Sequence, residues 1–242
     1  MSAAAANPSA LLQPQALTGR SSAHVQALAG SKLRVHPAVI APLEAMRSAA
    51  ATQGIALEPV SAFRDFDHQL SIWNAKFRGE RLLLGRDGAP LLPRPQSESG
   101  LIEAILLWSA LPGASRHHWG TDLDVIDRAA LAPGLQPELT RAEFAVDGPF
   151  ARLEAWLAAH CEEFGFYRPY DMDRGGVQPE PWHLSFAPLA AAALEQLSLE
   201  VLREALDGVA LAGAATVREK LPDIHARYVR GVAAPSRAAR RS

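Results

Sequence analysis

The sequence predicts an α+β fold in which a small central antiparallel sheet is flanked by helices. Three observations carry this. Apolar residues recur at helical spacing in several separate windows, short strand-like runs fall between them, and the two do not alternate in a regular βαβ pattern. The chain has 242 residues, enough for one sizeable domain, and shows no internal repeat.

Residues 1 to about 34 are rich in Ala, Ser, Pro and Gln and are expected to form an N-terminal arm lying over the domain. From Pro37 to Gly54, the positions Val39, Ile40, Leu43, Met46 and Ala50 define an amphipathic helix stopped by the glycine. Residues 55–63 read as a strand that delivers Arg64 at its end. Asp65 or Asp67 caps a helix through Phe77, with Leu70, Trp73 and Phe77 on its buried face. Residues 79–98 form a Gly/Pro/Arg segment long enough to suggest a functional or mobile loop. Its arginines, with Arg78, would suit a lid over anionic substrates. Helices are expected over 98–111 and 149–164, strands over 123–126 and 181–186, and a loop rich in aromatics and charges over 165–176. Helices from about 189 to 206 and 216 to 229 complete the reading. The domain boundaries are therefore a main domain over 35–188, helices packed on it over 189–230 and a disordered tail over 231–242.

Composition narrows the function. The chain is 48% hydrophobic and 21% charged with a formal net charge of −2, which gives no support for nucleic acid as a partner. The cluster Arg237, Arg240 and Arg241 reads as a solvated end. The single cysteine, Cys161, sits in a helical stretch and reads as a small core residue. No run approaches the ~18 apolar residues that span a membrane, and the N-terminus lacks the features of a secretory signal. A cytoplasmic protein is expected, with a periplasmic or secreted placement left open.

The densest polar cluster runs from Ser115 to Asp124 and contains His117, His118 and Asp122; a second, Glu180-Pro181-Trp182-His183, follows some sixty residues later. Catalytic zinc takes three protein ligands from His and carboxylate and keeps one position open, a count these clusters supply. On extended backbone Asp122 and Asp124 share a face, whereas Glu180 and His183 share one only if the chain bends at Pro181. There is no HExxH helix motif. Chemistry alone leaves His117 and His118 as competing ligands. Trp119 and Trp182, which flank the clusters, read as core aromatics, one of them able to wall a pocket.

Ser115, His117, Gly120 and Asp124 fit the pattern SxHxxGxxxD, Glu180 and His183 fit ExxH, and Ser61, Arg64 and Gln69 fit SxxRxxxxQ. Together they resemble the VanY-type zinc D-alanyl-D-alanine carboxypeptidases of the LAS superfamily, over roughly residues 37–187. The resemblance implies a hedgehog/D-Ala-D-Ala peptidase-like fold and a Zn2+ cofactor held by His117, Asp124 and His183, its register selecting His117 over His118. It implies Glu180 as the base that takes a proton from water and returns it to the leaving amine, and Arg64 as the oxyanion partner. Ser115 and Gln69 would bind substrate, Ser115 near its terminal carboxylate, and the substrate would be a peptidoglycan peptide. Two positions depart from the family pattern: Asp122 stands where a small residue is usual, and Ser185 where an arginine often follows the histidine. A D,D-carboxypeptidase is the expected activity. An L,D-carboxypeptidase, an L-alanyl-D-glutamate endopeptidase and a non-catalytic zinc-containing module are the alternatives.

Overall fold

The computed structural model describes residues 12–237 and 239–240. Its helices are α1 (Pro14–Leu17), α2 (Pro37–Thr52), α3 (Phe66–Arg78), α4 (Glu98–Leu106), α5 (Ala151–His160), α6 (Ala187–Gln196), α7 (Leu199–Ala205) and α8 (Ala214–Ile224). Its strands are β1 (Gln26–Ala27), β2 (Arg34–Val35), β3 (Leu57–Ser61), β4 (Asp122–Asp127), β5 (Phe166–Tyr167) and β6 (His183–Phe186). The central sheet has the order β3-β4-β6-β5, every pair antiparallel. β1 and β2 form a separate short ribbon. This is the α+β arrangement that the interleaved periodicities predict.

Local chemistry sets the helix ends. His36 Nδ1 accepts a hydrogen bond from Ala38 N–H at 3.2 Å, and Pro37 opens α2 where its missing N–H costs nothing. Asp65 caps α3 by accepting from His68 N–H, and Gly79 ends it in the left-handed conformation. Val39, Leu43 and Met46 of α2 are wholly buried, each stabilising the fold by about 1.5–3 kcal/mol. They pack on one face of the sheet with Leu123, Val125 and Leu184, together with Leu153 and Leu157 of α5. A second core joins α3, α4 and α6–α8 around Trp73, Ile105, Trp119 and Leu202. The polar face of β4 and β6 lies apart from these apolar contacts.

Several expectations change in detail. β3 ends at Ser61, so Arg64 lies three residues beyond the strand. α4 stops at Leu106, short of the expected 111. The single helix expected over 189–206 is two, because Ser198 leaves the helical path to cap α7 through Val201 N–H. The 165–176 loop begins with a strand, β5, too short to show alternation. Residues 79–98 are stapled down: Leu83 is buried, Trp108 Nε1 donates to Gly85 O, and Arg94 donates to Lys76 O and Phe77 O. In the expected tail, Ala233 N–H donates to Pro169 O and Ser236 Oγ to Glu162 Oε2. Arg241 and the first 11 residues of the arm fall outside the described residues. No helix among the described residues is long and apolar enough to cross a membrane.

Candidate metal centre

Strand register brings the distant motifs together. Asp124 on β4 pairs with His183 on β6, and Asp122 pairs with Ser185. Alternation therefore places all four on one face, while Leu123 and Leu184 point into the apolar core. His117 comes from the 3-10 turn Arg116–Trp119 just before β4, a turn that Gly120 closes at φ 68°. A donor atom from each of His117, Asp124 and His183 lies within 4.8 Å of the others, and all three residues are buried.

Hydrogen bonds fix which nitrogen each imidazole offers. His117 Nδ1 donates to Ala62 O at 2.8 Å, leaving Nε2 facing Asp124 Oδ2 at 3.4 Å. His183 has the opposite polarity: its Nε2 donates to Asp122 Oδ1 at 3.0 Å, and its Nδ1 lies 3.2 Å from Asp124 Oδ1. That last approach lacks hydrogen-bond alignment, so Asp124 Oδ1 is buried without a partner. Ligands held tetrahedrally at ~2.0–2.1 Å from zinc stand about 3.3 Å apart, close to both separations. Asp124 thus turns one oxygen to each imidazole, and the unpartnered Oδ1 is a buried lone-pair donor that a cation would satisfy, so this donor set fits zinc.

Glu180 reaches the same place by a turn. His183 N–H donates to Glu180 O at 3.1 Å, so the chain bends through Pro181 and Trp182 before β6 begins. Glu180 Oε2 then stands 3.4 Å from His183 Nδ1. Burial pushes the Glu180 carboxyl up to about 7, against the pull of His183. Burial also lowers His117, to about 4. On His183 burial acts downward too, but the hydrogen bond to Asp122 and the adjacent Asp124 carboxylate outweigh it and raise the imidazole to about 10.

A cavity of about 220 Å³ opens over these residues, and Arg64, Ser115, Glu180, Trp182 and the three metal donors line it. The sequence-read set thus converges on one place, with one exception. Gln69 is wholly buried and absent from the cavity wall. Its Nε2 donates to Ala110 O at 2.7 Å, and its Oε1 accepts from Arg64 Nη1 at 2.9 Å. It orients Arg64 and has no atom left for substrate. His118 acts on the same residue: its Nε2 accepts from Gly113 N–H, so its Nδ1 carries the hydrogen and donates to Arg64 O at 2.6 Å. It is no metal donor.

The two departures from the expected motifs belong to one buried network. Arg116 donates to Asp122 Oδ1 at 2.8 Å, to Ser185 Oγ at 2.6 Å and to Tyr167 OH at 2.8 Å. Thr121 Oγ1 donates to Asp122 Oδ2. Burial disfavours the Asp122 charge, yet Arg116 and His183 together hold its carboxyl far below the usual range. Ser185 is small because the Arg116 guanidinium occupies the space beside it. Lys76, which no sequence motif marked, also lines the cavity, as do Leu84 and Trp108. Its i, i+7 relation to Gln69 was the available signal.

A family model described as "VanY: D-alanyl-D-alanine carboxypeptidase" matches residues 32–189. A protein of Haemophilus influenzae described as uncharacterized is 36% identical over 121 residues, 49% of this chain and 92% of its own length. The solved structure of VanYB in complex with D-alanine-D-alanine is similar at a TM-score of 0.51 and 19% identity, over 82% of this chain and 90% of that one. The LdcB LD-carboxypeptidase structure is similar at a TM-score of 0.51 and 19% identity, over 81% and 82%. These structures share the fold.

Proposed function

Because the chain belongs to the VanY family of D-alanyl-D-alanine carboxypeptidases, we propose that it is a zinc peptidase removing a terminal D-amino acid, of the D-Ala-D-Ala type, from peptidoglycan-derived peptides. The observation that carries this reading is the single cavity in which Glu180 and Arg64 face the His117, Asp124 and His183 donors.

His117 Nε2, the Asp124 carboxylate and His183 Nδ1 would hold the metal, and three protein ligands leave one position for chemistry. Zinc held there would supply a Lewis acid, polarising the scissile carbonyl and acidifying water. Glu180, whose carboxylate stands beside the metal donors, would take a proton from the attacking water. As the carbon–nitrogen bond breaks, the same carboxyl returns that proton to the leaving amine, and the acyl carbon departs as a carboxylate. Arg64 is in reach of the charge that develops on the carbonyl oxygen, and its guanidinium is aimed by Gln69 while its backbone is held by His118. Trp182, Tyr170 and Leu84 restrict water around the reacting bond.

Zinc-loaded protein incubated with peptides ending in D-Ala-D-Ala should release D-alanine, read by mass spectrometry, and Glu180→Ala should abolish the release. Zinc binding without release from D-Ala-D-Ala peptides, L,D-tetrapeptides or L-alanyl-D-glutamate peptides would show that the chain is not a peptidase of this kind.

A further inference from the structure

Lys76 occupies the last turn of α3 and lines the cavity beside Ser109 and Ala110. Its Nζ donates to Ser109 Oγ at 2.7 Å, and no carboxylate among the described residues lies within ion-pair reach of it. A cation at a helix C-terminus is often explained by the helix dipole. Here Arg78, in the same turn and exposed, serves that purpose with Glu80 as its partner, whereas Lys76 points inward. Burial lowers the Lys76 ammonium to about 8, against the attraction of Glu180, so it is largely charged at neutral pH.

Lys76 is half-buried, and an ammonium partly withdrawn from water gains most from an anion that comes into the cavity. The two carboxylates on the cavity wall, Asp124 and Glu180, have tasks at the metal and the base. Arg116 is neutralised by Asp122 behind the wall. Arg64 is aimed by Gln69 for the transient charge on the carbonyl oxygen. Lys76 is the wall cation left without a task, and a peptide cut next to its end brings one permanent negative charge of its own. We propose that Lys76, steered by Ser109, receives the C-terminal carboxylate of the substrate and so makes this site an exopeptidase site. The inference rests on the peptidase reading above and names the group that selects the end of the chain.

The test is equilibrium binding to zinc-loaded protein carrying Glu180→Gln, so that bound peptide survives. Peptides ending in D-Ala-D-Ala, L-Lys-D-Ala and L-Ala-D-Glu are each offered with a free or an amidated C-terminus, and isothermal titration gives each Kd. With Lys76 present, the free acid of at least one peptide should bind ten-fold or more tightly than its amide. Lys76→Met, of similar length, should bring that ratio within two-fold while zinc content and circular dichroism stay unchanged; Lys76→Arg should restore most of it. Acid and amide binding alike to the Lys76 protein, or a ratio that survives Lys76→Met, would overturn the proposal. Discrimination that depends on Lys76 but appears only with L-Lys-D-Ala would sink the D,D reading and leave the role of Lys76 standing. Binding of no peptide would sink both.

Discussion

Asp122→Asn strikes the one carboxylate shared by Arg116 and His183. The Arg116 side chain is 4% exposed, and Asp122 is its ion-pair partner; Ser185 and Tyr167 give it hydrogen bonds but no charge. Removing one member of a buried pair typically costs about 3–5 kcal/mol, because the other charge is left uncompensated. Against a whole-domain stability of roughly 5–15 kcal/mol, that loss is large. A second effect is separable from the first. His183 Nε2–H loses its anionic acceptor, so the ring is less firmly held with Nδ1 toward the metal position. Partners of this kind are worth about 10–100-fold in metal affinity. Urea denaturation of chelator-treated protein reads the first quantity, and competition with a chromophoric chelator reads zinc Kd. The double variant Arg116→Met with Asp122→Leu should recover most of the stability, since it removes both charges, yet leave zinc affinity weakened. A loss below about 1 kcal/mol together with an unchanged zinc Kd in Asp122→Asn would refute the reasoning.

Two further outcomes follow from the same structure. A carboxyl raised to about 7 in the fold contributes stability that is complete below its unfolded value and lost as pH climbs through 7. Chelator-treated Glu180→Gln should therefore outlast wild type in urea by up to about 3 kcal/mol at pH 8.5 and by under about 1 kcal/mol at pH 5; a gap that does not grow with pH would count against the buried carboxyl. Gly120→Ala places a methyl group against Val25 and 2.9 Å from His36 N at a φ of 68°. It should destabilise by about 2 kcal/mol or more and weaken zinc binding, read by thermal melts and the same competition assay.

The helices and the ligand set were legible because each rests on a local pattern. Val39, Leu43 and Met46 announce α2 by spacing, and Asp65 and Gly79 mark the ends of α3 by their own chemistry. His117, Asp124, Glu180 and His183 were found because motif order survives folding. What stayed hidden depends on contacts between segments far apart in the chain. Gln69 looked like a substrate residue until Ala110 and Arg64 were seen to use both ends of its amide. Asp122 and Ser185 read only as separate departures from the family pattern until cross-strand pairing set them side by side around Arg116. β5 is two residues long and carries no period to read.

The support for the ligand-bearing turn begins well upstream of the matched region. Trp119 Nε1 donates to Leu17 O, His24 Nε2 bonds His118 O at 2.9 Å, and Phe66 N–H donates to Gly19 O. None of residues 12–31 offers a metal donor, yet they form the outer wall against which the 3-10 turn is set. A fragment trimmed to the family match at residue 32 would retain every chemical group of the site while discarding its scaffolding. For anyone choosing where to cut or tag this chain, the useful boundary lies before Pro14, so that the contacts of Leu17, Gly19 and His24 are kept.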